Sequence, residues 1–195
     1  MRLIIGLGNP GPEYAGTRHN LGFRVVEEVA RRRALGSWSP LCAALVARGG
    51  DLLLARPQTF MNRSGLAVRC LAEREELGPA EILVVFDDLA LPLGRLRLRA
   101  GGGTGGHRGM ASILEQLRSD EVPRLRLGIG PAPAGADLAE WVLAPFEEVE
   151  REAVESAVGR GADACEAWLE EDLERVAARF NAPPPGEVVD GGAAG

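Results

Sequence analysis

Hydrophobic and polar positions divide the first 130 residues into short apolar runs that alternate with helical periodicities. Arg2-Leu3-Ile4-Ile5-Gly6-Leu7 reads as a buried strand, and Gly8 to Gly16 as a loop, because Pro10, Gly11 and Pro12 suit neither helix nor ladder. From about Asn20 to Ala34, Phe23, Val26, Val29 and Ala30 recur at helical spacing, with Asn20 placed as an N-cap. Leu41 to Val46 and Leu52 to Ala55, split by Gly49-Gly50-Asp51, predict a hairpin. A helix is expected from Asn62 or Ser64 to about Leu77, closed by Gly78-Pro79.

Ile82-Leu83-Val84-Val85-Phe86 reads as an interior strand that ends at Asp87-Asp88. Arg95-Leu96-Arg97-Leu98-Arg99 alternates, so that one face carries guanidiniums and the other meets the core. Beyond a glycine loop at 101–106 come a helix from about Gly109 to Leu117 and a strand from Leu125 to Ile129, with Arg124 and Arg126 on one face. Residues 146–180 read as mainly helical. This order predicts an α/β fold: a single three-layer domain over residues 1–181 with a mixed, mostly parallel sheet. Residues 182–195, with Pro183-Pro184-Pro185 and few apolar side chains, are expected to form a flexible tail.

Charge alters this picture in one respect. The net charge of −6 argues against a nucleic-acid partner, but the acidic excess is confined to one stretch. Residues 1–139 hold 18 Arg against 14 acidic residues, whereas residues 140–175 hold 3 Arg against 12. A basic face therefore remains available. The chain contains no lysine, which excludes lysine Schiff-base and general-base chemistry and leaves arginine, or histidine when protonated, as the cation for phosphate. Cys42, Cys70 and Cys165 form no CxxC pair and are expected to be buried free thiols in a reducing cytoplasm. No apolar run is long enough for a membrane span, and the amino-terminal residues do not resemble a signal peptide.

The candidate chemistry centres on two histidines, His19 and His107, each beside a glycine-rich loop that follows a strand. In open α/β sheets ligands bind at such loops. A carboxylate on one imidazole nitrogen leaves the other able to take a proton from water, and Asp87 stands at a strand end where it could serve. Asn9 and Asn62 are neutral amides able to donate to an oxyanion, although turn formation and helix capping are the ordinary roles of such residues. No serine lies in a GxSxG turn, and the histidines lack HxxxH or Cys/His spacing, so neither a covalent nucleophile nor a metal is expected. The loop Gly101-Gly102-Gly103-Thr104-Gly105-Gly106 lacks the lysine of a nucleotide-binding P-loop. Beside the arginine strand it nonetheless offers backbone amides close to fixed cations.

Together these segments resemble the bacterial peptidyl-tRNA hydrolase family. The resemblance rests on Gly6-Leu7-Gly8-Asn9-Pro10-Gly11 with Tyr14, Thr17-Arg18-His19-Asn20-Leu21-Gly22, and Pro57-Gln58-Thr59-Phe60-Met61-Asn62 with Ser64-Gly65. It continues through Asp87-Asp88-Leu89, the glycine loop ending in His107, and Arg124-Leu125-Arg126-Leu127-Gly128-Ile129-Gly130. The resemblance implies a phosphorylase/hydrolase-like fold and a cytoplasmic, typically monomeric enzyme that cleaves the peptidyl ester of tRNA without metal or other cofactor. It makes His19 the general base and Asp87 its orienting group. Asn9, Tyr14, Phe60, Asn62, His107 and Arg108 would contact the substrate, and Arg97, Arg99 and Arg126 would grip tRNA phosphate. Arg108 departs from the family, many of whose members carry asparagine there, and Phe86 and Thr104 replace residues that are often histidine. Two other readings are a non-catalytic RNA-binding relative and a hydrolase of small esters; the second would have no use for the three arginines.

Overall fold

The computed structural model describes residues 1–183. Residues 184–195, the greater part of the expected tail, lie outside the described residues. Seven strands form one mixed sheet: β1 (Arg2–Gly6), β2 (Ser39–Leu41), β3 (Ala44–Gly49), β4 (Leu52–Pro57), β5 (Ile82–Pro92), β6 (Leu96–Arg99) and β7 (Arg124–Gly130). Their order is β2-β3-β4-β1-β5-β7-β6, parallel across β4, β1, β5 and β7 and antiparallel at both edges. Six α-helices accompany them: α1 (Leu21–Arg32), α2 (Ser64–Arg74), α3 (Arg108–Leu117), α4 (Leu138–Leu143), α5 (Arg151–Glu170) and α6 (Leu173–Phe180).

The period of two in the central strands builds two cores, one on each face of the sheet. Ile4, Leu54, Leu83, Val85 and Leu127 point to the face covered by α1, α5 and α6. Leu3, Ile5, Leu53, Val84 and Phe86 point to the face covered by α2 and α3. Both surfaces of β1 and β5 are thus sealed, which explains why these strands read as unbroken apolar runs. The same parity, continued by one step, sends Asp87 to the α1 face opposite Leu127. Arg124 and Arg126 fall with Val84 and Phe86 on the other face, and β6 sets Arg97 against Arg126 and Arg99 against Arg124.

The chain leaves β1 toward β4 and leaves β5 toward β7. The carboxyl ends of β1 and β5 therefore flank a switch point, where an open sheet leaves a crevice. Close packing holds α1 against this crevice. A Cβ on Gly22 would stand 2.3 Å from the Val85 carbonyl oxygen and 2.5 Å from the Leu7 nitrogen, and one on Gly6 would stand 2.3 Å from the Gly22 carbonyl.

Several expectations need correction. β5 does not end at Asp87-Asp88 but runs to Pro92, its register with β7 shifting between Asp88 and Pro92. The predicted helix to Leu77 stops at Arg74, and β2 and α4 were not foreseen. Cys42 and Cys70 are joined in a disulfide rather than free, and neither is buried; Cys165 alone is a buried free thiol. The acidic carboxyl-terminal stretch divides. α4 reaches the crevice, whereas α5 packs on α1 and meets its arginines through Arg24–Glu155 and Arg32–Asp163 ion pairs.

The tight fit at Gly22 yields a prediction. Gly22→Ala should lower stability by about 1–3 kcal/mol, the usual cost of overpacking, despite the better helix propensity of alanine. A reduced denaturation midpoint at unchanged slope would show it; an unchanged or raised midpoint would mean that α1 is not pinned by this contact.

Candidate active site

Each side of the sheet delivers one histidine to Asp87. His19 lies in a 3-10 turn (Arg18–Asn20) that leads into α1, and His107 is the N-cap of α3. His19 Nδ1 lies 2.8 and 3.0 Å from the two Asp87 carboxylate oxygens, and His107 Nε2 lies 3.1 Å from Oδ1. Asp87 is 2% exposed. Burial alone would push its carboxyl upward, but hydrogen bonds from His107 and His19 reverse this and hold it well below the usual carboxylate range.

Hydrogen-bond partners assign the two tautomers. The Met110 backbone N–H donates to His107 Nδ1 at 3.2 Å, so in the neutral ring the proton sits on Nε2 and is given to Asp87. His19 gives its Nδ1 proton to Asp87, which leaves a lone pair on Nε2. The His19 and His107 rings stand 4.9 Å apart, and Phe86 packs against His107 at 4.7 Å.

Asn9 is oriented in a similar way. Its Oδ1 accepts from the Met61 backbone N–H at 2.9 Å, which turns its amide N–H group toward the cleft that it lines. Its backbone is clamped by Asn20, whose Oδ1 accepts from Asn9 N–H and whose Nδ2 donates to Asn9 O, both at 2.9 Å. Asn20 therefore makes no side-chain cap on α1, contrary to expectation. Asn62 sits exposed in a 3-10 turn (Met61–Arg63) ahead of α2, with its side chain at the cleft wall.

The cleft has a volume of about 860 Å³. Asn9, His19, Asn62, Asp87 and His107 share it with exposed Phe60 and Arg108 and with Arg99 and Arg126. Two candidates lie outside its lining. Tyr14 packs edge-to-face on Phe60 at 6.4 Å, and Arg97 is exposed on β6 in register with Arg126. Arg126 forms an ion pair with Asp88, so the residue after Asp87 positions a cation at the cleft wall.

Three features escaped the sequence reading. Leu138, Val142 and Leu143 of α4 supply an apolar wall. Arg18, 1% exposed, anchors the segment that follows: its guanidinium lies 3.8 Å from the Trp141 ring and 5.0 Å from that of Phe146, and bonds Pro145 O and Glu150. Arg124, 2% exposed, holds backbone carbonyls beneath the glycine loop. Nothing in the local sequence pairs Arg18 with Trp141 and Phe146, which stand more than 120 positions away.

Fold and site define an α/β enzyme with a buried carboxylate joined to two histidines at the switch point of its sheet. A family model described as peptidyl-tRNA hydrolase matches residues 3–187. The peptidyl-tRNA hydrolase of Syntrophomonas wolfei is 44% identical over 185 residues, covering 93% of this chain and all of that one. That of a Synechococcus strain is 45% identical, covering 93% of this chain and 83% of its own. A crystal structure of peptidyl-tRNA hydrolase from Acinetobacter baumannii superposes with a TM-score of 0.86 at 32% identity, covering 93% of this chain and 95% of that one. A peptidyl-tRNA hydrolase in complex with N-propanol gives a TM-score of 0.88 at 31% identity, covering 95% and 96%. The chain belongs to the peptidyl-tRNA hydrolase family, and it is a hydrolase.

The Asp87 pairing has a consequence for acid stability. A carboxyl depressed by folding contributes stability above its unfolded value, and that contribution is lost as pH falls toward the folded value. Stability of the wild type should therefore decline steeply below about pH 4, the ordinary carboxylate value. Asp87→Asn should be less stable at neutral pH and show a shallower acid decline; equal slopes in denaturant titrations between pH 5 and 2 would contradict the pairing.

Proposed function

We propose that this enzyme hydrolyses the ester joining a peptide, or an N-blocked aminoacyl group, to the 3′-terminal ribose of tRNA, with water activated at His19. The observation that carries the reading is the His19–Asp87 contact, which leaves Nε2 free to accept on a residue that lines the cleft. Water would give a proton to Nε2 while its oxygen attacks the ester carbonyl. The tetrahedral oxyanion would be met by the amide N–H groups of Asn9 and Asn62. Its collapse breaks the bond to the ribose oxygen, which takes the proton back from His19. Asp87, held ionised, stabilises the imidazolium between these events. Because the ester is already activated relative to an amide, a positioned base and amide donors suffice without a covalent intermediate.

The donor atoms of His19, Asp87 and His107 lie within 4.8 Å of one another, close enough to raise the question of a metal. The Met110 N–H on His107 Nδ1 argues against one, since Nε2 then carries a proton where a ligand needs a lone pair. The reading is therefore of metal-free hydrolysis. Apolar α4 and Phe60 suit the peptide side, and Arg97, Arg99 and Arg126 suit tRNA phosphate, with Arg108 at the rim between them. Such an enzyme would act as a cytoplasmic monomer, and no described helix is long and apolar enough to cross a membrane.

Release of free tRNA from N-acetyl-aminoacyl-tRNA tests the chemistry. His19→Ala should reduce turnover by about 10²–10⁴-fold, the usual worth of a general base, with tRNA affinity retained. Turnover close to wild type would sink the assignment, and tRNA binding without release by either protein would favour an RNA-binding role.

The arginine wall makes a separate prediction. Arg97→Ala with Arg99→Ala should raise KM more than it lowers kcat, and should reduce the log–log salt slope by about 0.7–0.9 for each phosphate no longer neutralised. An unchanged KM across salt concentrations would indicate that these residues do not meet tRNA.

A further inference from the structure

Arg124 is a buried cation whose hydrogen-bond partners are all neutral. Nη1 donates to the carbonyls of Gly102 at 2.6 Å and Gly103 at 2.7 Å, Nη2 to that of Asp120 and Nε to that of Val122. Its neighbours across the sheet face are also cations, Arg99 opposite it in register and Arg126 two residues along β7. Asp88 answers Arg126 alone. Neither Arg124 nor Arg99 has an ion-pair partner among the described residues. Asp120 acts on Arg124 from beyond ion-pair distance, and with Asp88 it leaves the arginines of this wall in excess, a condition that favours a bound anion.

The backbone above Arg124 completes the arrangement. A trans peptide points its N–H opposite to its carbonyl. With the Gly102 and Gly103 carbonyls turned down onto Arg124, the N–H groups of Gly103 and Thr104 are turned up, away from it. Among the described residues neither N–H has an acceptor, whereas those of Gly102, Gly106 and His107 are bonded within the loop or to Asp120. A Cβ on Gly103 would meet nothing within 4 Å, and Gly103 is exposed, so the loop is open at this residue. Gly102, Gly105 and Gly106 have φ of +133°, +58° and +79°, which fixes glycine in the loop and keeps side chains out of this space. A Cβ on Gly105 would lie 4.0 Å from Arg126 Nη2, which places that guanidinium at the loop's edge. Successive free N–H groups backed by fixed cations form an anion-binding nest.

We infer that the amides of Gly103 and Thr104, held outward by Arg124 and flanked by Arg126, bind a phosphodiester of the single-stranded 3′ end of tRNA. The inference rests on the substrate proposed above. It adds a phosphate contact made by backbone amides of the loop, distinct from the side-chain grip of Arg97 and Arg99. The His107 N–H donates to Thr104 O at 3.0 Å, so phosphate seated on this loop is coupled through one hydrogen bond to the histidine on Asp87. Arg124 acts here as a positioning residue, since it touches the loop and not the ligand.

Amide resonances of the wild-type protein test the site directly. On titration with the trinucleotide CCA, the Gly103 and Thr104 N–H signals should move downfield and saturate together. The same trinucleotide with uncharged methylphosphonate linkages should leave them in place. Arg124→Lys, which keeps the charge but cannot hold both carbonyls, should weaken binding of natural CCA by on the order of tenfold, with little effect on the neutral form. If that variant does not fold, the wild-type titrations decide alone. Equal shifts with both trinucleotides would overturn the proposal, as would shifts with inorganic phosphate but not with CCA. N-acetyl-aminoacyl-tRNA hydrolysis, measured on the same wild-type sample, separates the two claims. Hydrolysis without the amide shifts would refute the nest alone, and amide shifts without hydrolysis would support the nest while refuting the esterase reading.

Discussion

A single buried carboxylate joins the two halves of this molecule. Asp87 stands where β5 emerges from between two helical layers, and it takes one imidazole from the approach to α1 and the other from the start of α3. Taking a carboxylate out of water costs several kcal/mol. Hydrogen bonds to a charged group contribute roughly 1.5–3 kcal/mol each, so two histidines are needed to offset that cost where one would not suffice. The arrangement explains why α1 must lie so close to the sheet at Gly6 and Gly22. A helix lifted by the width of a methyl group would carry His19 away from its partner. Stability and the chemistry proposed for His19 therefore depend on the same contact.

Around this centre the sheet separates charges by strand parity. Side chains of β5 and β7 that alternate one way end in Asp87 and the α1 core, and those that alternate the other way end in Arg124, Arg126 and, through β6, Arg97 and Arg99. The acidic helix α5 lies against α1, where its carboxylates meet Arg24 and Arg32. A chain of net charge −6 can in this way keep a cationic wall on the opposite face. Net charge alone was a poor guide to the cleft wall because the sheet sorts the signs to different sides.

Much of the fold was legible because β1 and β5 are apolar on both faces, β7 alternates Leu125 and Leu127 with arginines, and α1 has a clear period. The alternation of Leu96 and Leu98 with arginines was equally plain, and both leucines are buried. Asn20 was misread because local sequence makes it a helix cap, whereas its true partner is the Asn9 backbone eleven residues earlier. The Cys42–Cys70 disulfide pairs a hairpin turn with α2, a contact that no spacing rule could supply. α4 is six residues long and held largely by Arg18 from a distant segment, so its own composition gave little sign of it. Arg124 was read as one more guanidinium on a basic face. Its burial became evident only once the glycine loop was seen folded over it.

The central claim is that Asp87 fixes opposite tautomers on its two histidines and so leaves His19 Nε2 as the acceptor in the cleft. Nitrogen-15 spectra of the imidazoles at a pH where both are neutral test this most directly. His19 should appear with its proton on Nδ1 and His107 with its proton on Nε2, and the bias should weaken for His19 in Asp87→Asn. A His19 ring protonated on Nε2 in the wild type would contradict the account, because no lone pair would then face the cleft.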